Sequence, residues 1–212
     1  MRSFQHWTPR YLWNRTREQL YRRRHPGLPW LTPAANQILD GYLKDTDQVL
    51  EFGSGRSTVW FARRVAAITS VEYNPAWFER VEQLLQSEGL KNTRLLLRPK
   101  ESDDRQEGVT SAYVHVLDDF SPASLDFVLV DGTYRSACAW GALERLRPGG
   151  LLVIDNVNWF LPCVSHAPNS RTVESGPSSP LWEKFWLAVT GWRRIWTSNG
   201  VSDTAFFFKP GL

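Results

Sequence analysis

Cysteine is scarce in this chain: Cys138 and Cys163 are the only two among 212 residues. They lie in separate segments without metal-ligand spacing, which excludes a disulfide framework or a cysteine-built zinc site and leaves reduced thiols. No stretch reaches the roughly eighteen apolar residues a membrane span requires. The opening MRSFQHWTPR also lacks the apolar core of a signal peptide, so a soluble, cytoplasmic protein is expected. Internal repeats are absent. Acidic charge is nearly missing from residues 1–30, where seven arginines face one glutamate, about +6, although the whole chain carries only +3. The remainder is therefore slightly acidic, and the basic character is local. The arm RYLWNRTREQLYRRRHPG suits phosphates, an anionic lipid surface or an acidic partner, or it is a solvated helix face. It reads as an extension, residues 1–30, ahead of a main domain, residues 31–212.

What is present is punctuation. Thr8-Pro9 and Thr32-Pro33 each place a capping hydroxyl before a proline that needs no donor at the first helical position. The first helix stops at His25-Pro26-Gly27. In TPAANQILDGYL, the residues Ala35, Ile38, Leu39 and Tyr42 recur at helical spacing. From residue 48 onward, short apolar runs alternate with helical segments: QVLEF, AITSVEY, NTRLLLR, LDFVLVD and LLVIDN, the last following Pro148-Gly149-Gly150. Asn74-Pro75 opens the helix after the second run. Apolar runs between helices are the signature of a buried parallel sheet, hence a doubly wound α/β layer preceded by N-terminal helices. WRRIWTS and DTAFFFKP flank Asn199-Gly200, which predicts an antiparallel last strand. Residues 99–110 and 162–180 read as surface loops, the second rich in Ser, Pro and Asn and expected to be mobile.

In such a sheet a ligand binds beyond the carboxyl ends of the strands. Gly53 and Gly55, after the first strand, let the backbone turn and let a ligand approach closely. Glu51 stands two residues before Gly53, and Glu72 ends the second strand. A carboxylate at Glu72 suits the two hydroxyls of a ribose. One at Glu51 suits a cationic group and repels a diphosphate. Thr58 occupies the place of the third glycine of a dinucleotide fingerprint.

VLEFGSG, VEYNPAWFERV, DFVLVDG and LRPGGLLVIDN, in this order and spacing, resemble the class I S-adenosylmethionine-dependent methyltransferases over roughly residues 30–209. The resemblance implies a Rossmann-like seven-stranded sheet and S-adenosylmethionine as cofactor. It places Glu51, Gly53, Ser54 and Gly55 around the methionine part and Glu72 at the ribose. Similarity to small-molecule O-methyltransferases adds Thr32 and Ser57 at the cofactor carboxylate; for Thr32 a plain helix cap is the other reading. The adenine is expected after the third strand, from Pro99-Lys100 onward.

Asp131 ends the fourth strand, and Asp155 with Asn156 ends the fifth. Three oxygen-bearing side chains at one rim suit a hard cation such as Mg²⁺, which lowers the pKa of a bound hydroxyl. They resemble the metal site of cation-dependent O-methyltransferases of the catechol, caffeoyl-CoA and macrocin types, with Thr133 where plant enzymes carry a further aspartate. The other reading has Asp131 holding a turn and the cofactor and Asp155-Asn156 capping a loop. His166 and His115 are the alternative proton acceptors, since imidazole titrates near neutral pH. Tyr134 and Arg135 are candidates for the acceptor pocket, the arginine as a grip on an anion. Among eleven tryptophans, Trp60, Trp77 and Trp140 are expected in the core, with Trp159, Trp182 and Trp186 beside the long loop. The expected activity is methyl transfer to a small-molecule hydroxyl. A non-catalytic scaffold docking through the basic arm and an RNA methyltransferase are the alternatives. Nucleic acid is disfavoured because an Asn-Pro-Pro-Tyr-like tetrapeptide is missing. A weak peripheral membrane contact through the arm is compatible with its charge.

Overall fold

The structure, a computed structural model, describes residues 7–100 and 107–211. Seven strands form one sheet: β1 Gln48–Phe52, β2 Ala67–Glu72, β3 Thr93–Leu97, β4 Leu125–Val130, β5 Leu146–Asp155, β6 Arg193–Ser198 and β7 Asp203–Phe208. Their order is β3-β2-β1-β4-β5-β7-β6. Strands β1 to β5 pair in parallel, whereas β7 runs antiparallel to both β5 and β6. The expected doubly wound sheet with a reversed last strand is thus the observed one. Among the described residues six α-helices surround it: α1 Pro9–Arg24, α2 Pro33–Tyr42, α3 Arg56–Ala62, α4 Pro75–Ser87, α5 Arg135–Arg145 and α6 Pro180–Ala188.

Caps explain where these helices start. The side chains of Thr8, Thr32, Asn74 and Ser179 each accept the amide three residues on, and each is followed by proline. Alternation along the central strands builds two cores. Val49, Phe127, Leu129, Leu151, Val153 and Phe206 face α2 and α3 on one side. Leu50, Phe52, Val128, Val130, Leu152, Ile154 and Phe207 face α5 and α6 on the other. Strand β5 begins earlier than expected and runs through Pro148-Gly149-Gly150, where the pairing with β4 slips between Leu125 and Phe127. A bulge is where a strand tolerates proline.

Helix α1 is seated inside out. Its inward residues include Asn14, Tyr21 and a buried Glu18, which Arg15 and Arg22 neutralise. Leu12, Trp13 and Leu20 are exposed. The helix lies against the β6–β7 turn, where a Cβ on Gly200 would collide with the Asn14 amide at 2.1 Å. Its far end is clasped through Trp30, whose ring lies 5.1 Å from the Arg22 guanidinium and 5.4 Å from that of Arg56. The described part of the arm is therefore packed on the domain. No helix among the described residues is long and apolar enough to cross a membrane.

The loop over residues 162–180 is pinned rather than loose. Buried Asn158 donates to Pro168 O and Ser170 Oγ, Arg171 donates to Ser175 O and Gly176 O, and Pro162 bridges Arg171. Serines that look like solvent contacts in the sequence are consumed by these internal bonds.

Candidate active site

The segments leaving β1, β3 and β4 are each stitched to the end of a neighbouring strand at the carboxyl rim. Gly53 N donates to Val71 O at 2.9 Å, Asp131 N to Phe52 O at 2.8 Å and Arg98 N to Glu72 O at 2.7 Å. Gly53 adopts φ +98° and abuts the turn after β4: a Cβ there would lie 2.7 Å from Gly132 N. Gly132 is equally confined, since its Cβ would fall 2.0 Å from the Tyr113 hydroxyl. Gly55 differs. Its φ of 172° is ordinary extended backbone, and its nearest neighbours would be Ser57 Oγ at 3.8 Å and Trp77 Nε1 at 3.9 Å. Gly55 is therefore not needed for the turn and leaves open space in front of it.

Glu51 and Glu72 flank this turn from two sides. Glu72 Oε2 accepts from Ser54 N and Ser54 Oγ at 3.2 and 2.8 Å, and its Oε1 accepts from Tyr73 N and Asn74 N. Trp77 Nε1 donates to Ser54 O at 2.7 Å and closes the outer side. Glu51 is fully buried. Its Oε2 accepts from Ser70 Oγ at 2.6 Å and from Thr58 Oγ1, which in turn accepts from Gly55 N. Its Oε1 has no partner. Burial pushes the Glu51 pKa up to about 7, against the pull of the Ser57, Ser70 and Thr58 hydroxyls and with a further push from Asp131. A buried carboxylate with one oxygen orphaned is complementary to a cation that completes it. The sequence marks Thr58 only as the substitute for a third glycine, not as a partner of Glu51, and it does not single out Ser70. Ser70 carried a usable signal, a hydroxyl within a buried strand and, in register, directly beside Glu51.

Asp131, Asp155 and Asn156 do meet at the rim, as expected. The guanidinium of Arg135 lies among them. It donates to Asp131 Oδ1 at 3.0 Å, Asp131 O at 2.8 Å, Gly132 O at 2.9 Å, Asn156 Oδ1 at 3.3 Å and Asp155 O. With all its donors engaged inside the protein, Arg135 has none left for the anionic acceptor suggested for it. Tyr134 and Asn156 both sit at positive φ, 48° and 49°. Asp155 turns its carboxylate toward β7, where Thr204 Oγ1 donates to it at 2.7 Å. Burial raises the pKa of both Asp131 and Asp155, opposed in each case by the positive charge of Arg135. The set does not fit a divalent cation, because a fixed positive charge already takes the ligand atoms; among the described residues no group of three His, Cys, Asp or Glu is placed to hold a metal.

Thr32 lies away from the glycine turn. Its hydroxyl caps α2 by accepting from Ala35 N and sits 2.6 Å from Thr197 Oγ1, fully buried against β6 and β7. The helix-cap reading is the one the geometry matches. Ser57, buried on α3, stays beside Glu51. His115 is out of reach, since it pairs with Asp118 at the opposite end of β4. His166 is exposed and lines a groove of about 650 Å³ beneath α1, together with Arg10, Asn14, Arg17, Glu18, Tyr21 and the β6–β7 turn. Lys100 sits over the Tyr134 ring, whereas residues 101–106 of the expected adenine stretch lie outside the described residues. Of the tryptophans, Trp60 and Trp182 are buried, the latter stacked on Phe160, while Trp159 is exposed.

A carboxylate at each of the first two strand ends, a glycine turn between them and an acidic rim at β4 and β5 define a nucleoside-binding class of doubly wound domain. A family model described as a methyltransferase domain matches residues 50–157, just over half of the chain, and the protein belongs to that family. It is an S-adenosylmethionine-dependent methyltransferase of the class I fold. Similar solved structures include an rRNA methylase from Streptococcus thermophilus, at 14% identity over 84% of this chain and 95% of that one, TM-score 0.54. A putative rRNA methylase from Clostridium thermocellum shows 12% identity over 84% and 94%, TM-score 0.56. A putative methyltransferase from Streptococcus mutans in complex with SAH shows 11% identity over 83% and 96%, TM-score 0.54. At these identities the likeness concerns the fold alone. No curated protein matches the chain.

Proposed function

We propose that the protein methylates a hydroxyl oxygen of a small, anionic acceptor that enters through the groove beneath α1. The observation that carries the cofactor half of this reading is the unpartnered Glu51 Oε1: an ammonium group there satisfies the orphaned oxygen and stabilises the ionised form. Ser54, Gly53 and Gly55 then line the methionine part, Ser57 stands near its carboxylate, and Glu72 reaches the ribose by exchanging its Ser54 bond for a sugar hydroxyl. The bound cofactor supplies an electrophilic methyl group on a sulfonium.

Asp131 is the proton acceptor in this reading. Its Oδ1 is held by Arg135, and its side chain is partly exposed. The acceptor oxygen forms the new bond to the methyl carbon, the electron pair of the broken bond stays on sulfur, and the hydroxyl proton passes to Asp131. His166 stands in the groove as a second proton acceptor, and Arg10 and Arg17 line it with positive charge. A buried hydrogen-bond chain, Thr32 N to Thr204 Oγ1 and Thr204 Oγ1 to Asp155 Oδ1, ties Pro33 at the wall of the groove to the end of β5.

The test is a screen for transfer of a labelled methyl group to small hydroxylated carboxylates and phosphates. Asp131→Asn is expected to lower kcat about a hundredfold or more while S-adenosylhomocysteine binds as before. Arg17→Ala is expected to raise KM for the anionic acceptor with kcat kept. Unchanged turnover in Asp131→Asn rules out that residue as the base. An RNA acceptor is the second reading, favoured by the exposed Arg23 and Arg24 on α1. Binding of RNA that falls steeply with salt, together with labelled RNA product, selects it over the first.

A further inference from the structure

The sequence marks Asp131, Asp155 and Asn156 for a divalent cation, and the fold brings them together around a guanidinium. Five N–H groups exist on an arginine side chain, and each has its own acceptor here. Nε donates to Gly132 O, Nη2 to Asp131 O and Asp131 Oδ1, and Nη1 to Asp155 O and Asn156 Oδ1. The plane rests 5.9 Å from the centre of the Phe160 ring. Tyr134, in the left-handed region just before α5, sets the first turn of that helix so that Arg135 folds back over the ends of β4 and β5. Only one of the two aspartate carboxylates faces the guanidinium, because Asp155 gives its side chain to Thr204 and contributes a main-chain carbonyl instead.

A magnesium ion requires a near-octahedral shell of oxygens at about 2.0–2.1 Å. It would have to take Asp131 and Asn156 from Arg135 and then sit against an unremovable positive charge.

We infer that Arg135 stands in the place of the divalent cation, and that this methyltransferase works without a metal by using the guanidinium, 3.0 Å from Asp131 Oδ1, to hold that carboxylate in position. Arg135 is thus a positioning residue that acts through Asp131, and the inference rests on the reading of Asp131 as proton acceptor given above. What it adds is chemical: the acceptor hydroxyl must surrender its proton to a protein group, since no Lewis acid polarises it. That favours acceptors whose hydroxyl is already acidic, such as phenols or enols, over simple alcohols.

The experiment uses the full chain and Mn²⁺ as the probe, followed by the electron paramagnetic resonance signal of the free ion, with S-adenosylhomocysteine affinity measured in parallel by calorimetry. Wild type is expected to leave the Mn²⁺ signal undiminished. Arg135→Ala, or Arg135→Met where the alanine variant does not fold, is expected to gain Mn²⁺ affinity by about tenfold or more, because the oxygens lose their resident cation. That gain is expected to vanish when Asp131→Asn is added, and Arg135→Lys, which keeps the charge, is expected to show none. Mn²⁺ binding by wild type that Asp131→Asn removes would overturn the inference, as would variants at Arg135 that bind no more Mn²⁺ than wild type. Failure of S-adenosylhomocysteine to bind would instead sink the reading of the cofactor residues and leave the Mn²⁺ comparison standing.

Discussion

Glu51→Gln removes a charge and almost no volume, so its consequences follow from the surroundings of one carboxylate. In the folded protein burial raises the Glu51 pKa to about 7, from an ordinary 4.5. Between those values the folded chain binds a proton that the unfolded chain has released. Stability from that proton is therefore complete below pH 4.5 and is lost as pH rises through about 7. At about 1.4 kcal/mol per tenfold change in proton affinity, the loss is on the order of 3 kcal/mol. Glutamine cannot ionise, so the variant lacks this dependence. Urea denaturation of ligand-free wild type and variant is expected to show the wild type losing about 3 kcal/mol relative to the variant between pH 4.5 and 8. S-adenosylhomocysteine is expected to reverse the ranking, because the proposed function pairs its ammonium with ionised Glu51. Wild-type affinity should rise with pH through about 7, and the variant should bind about 10- to 100-fold more weakly, the worth of one charge-assisted hydrogen bond. Parallel stability profiles, or equal affinities, would refute the assignment of Oε1 to a cationic ligand group.

The two turn glycines should separate in the same assays. Gly53→Ala places a Cβ at positive φ and against the Gly132 backbone, and is expected to cost about 2–5 kcal/mol from strain and overpacking combined. Gly55→Ala meets nothing closer than 3.8 Å and is expected to stay within about 0.5 kcal/mol of wild type in stability while weakening S-adenosylhomocysteine. Equal melting temperatures for the two variants would contradict this division. Trp30→Ala removes both cation–π contacts that clasp α1, worth about 1–2 kcal/mol together at an exposed site. Trypsin cleavage after Arg22, Arg23 or Arg24 is expected to speed up about 5- to 30-fold, as the undocked helix becomes populated. An unchanged cleavage rate would show that the clasp does not hold the helix.

Features decided locally were legible in the sequence. Thr8, Thr32 and Asn74 each sit before proline and cap the helix they announce, and alternating apolar runs gave the strands and their direction. Ser179-Pro180 carries the same signal for α6 but is easily lost in a loop rich in serine and proline. The carboxylates at Glu51 and Glu72 could be placed because they occupy fixed offsets from the glycine turn. Contacts between distant segments were not legible. Arg135 reads as a pocket arginine until its partners at Asp155 and Asn156, twenty and twenty-one residues on, are seen to surround it. Thr32 reads equally as ligand contact or cap until Thr197 and Thr204 close on it. The inward polar face of α1 inverts the usual rule that a helix buries its apolar stripe, so no pattern of hydrophobicity could have oriented it.

Strand β7 is the seventh to be synthesised, yet it lies between β5 and β6 and supplies the hydroxyl that Asp155 needs. A nascent chain that has emerged only through residue 202 displays Leu151, Leu152, Val153 and Ile154 along an uncovered edge, a template for association with other chains. Acquisition of the acidic rim and protection from aggregation thus arrive together, in one late step after translation has passed Phe208, and any lesion that delays this strand should be felt first as insolubility.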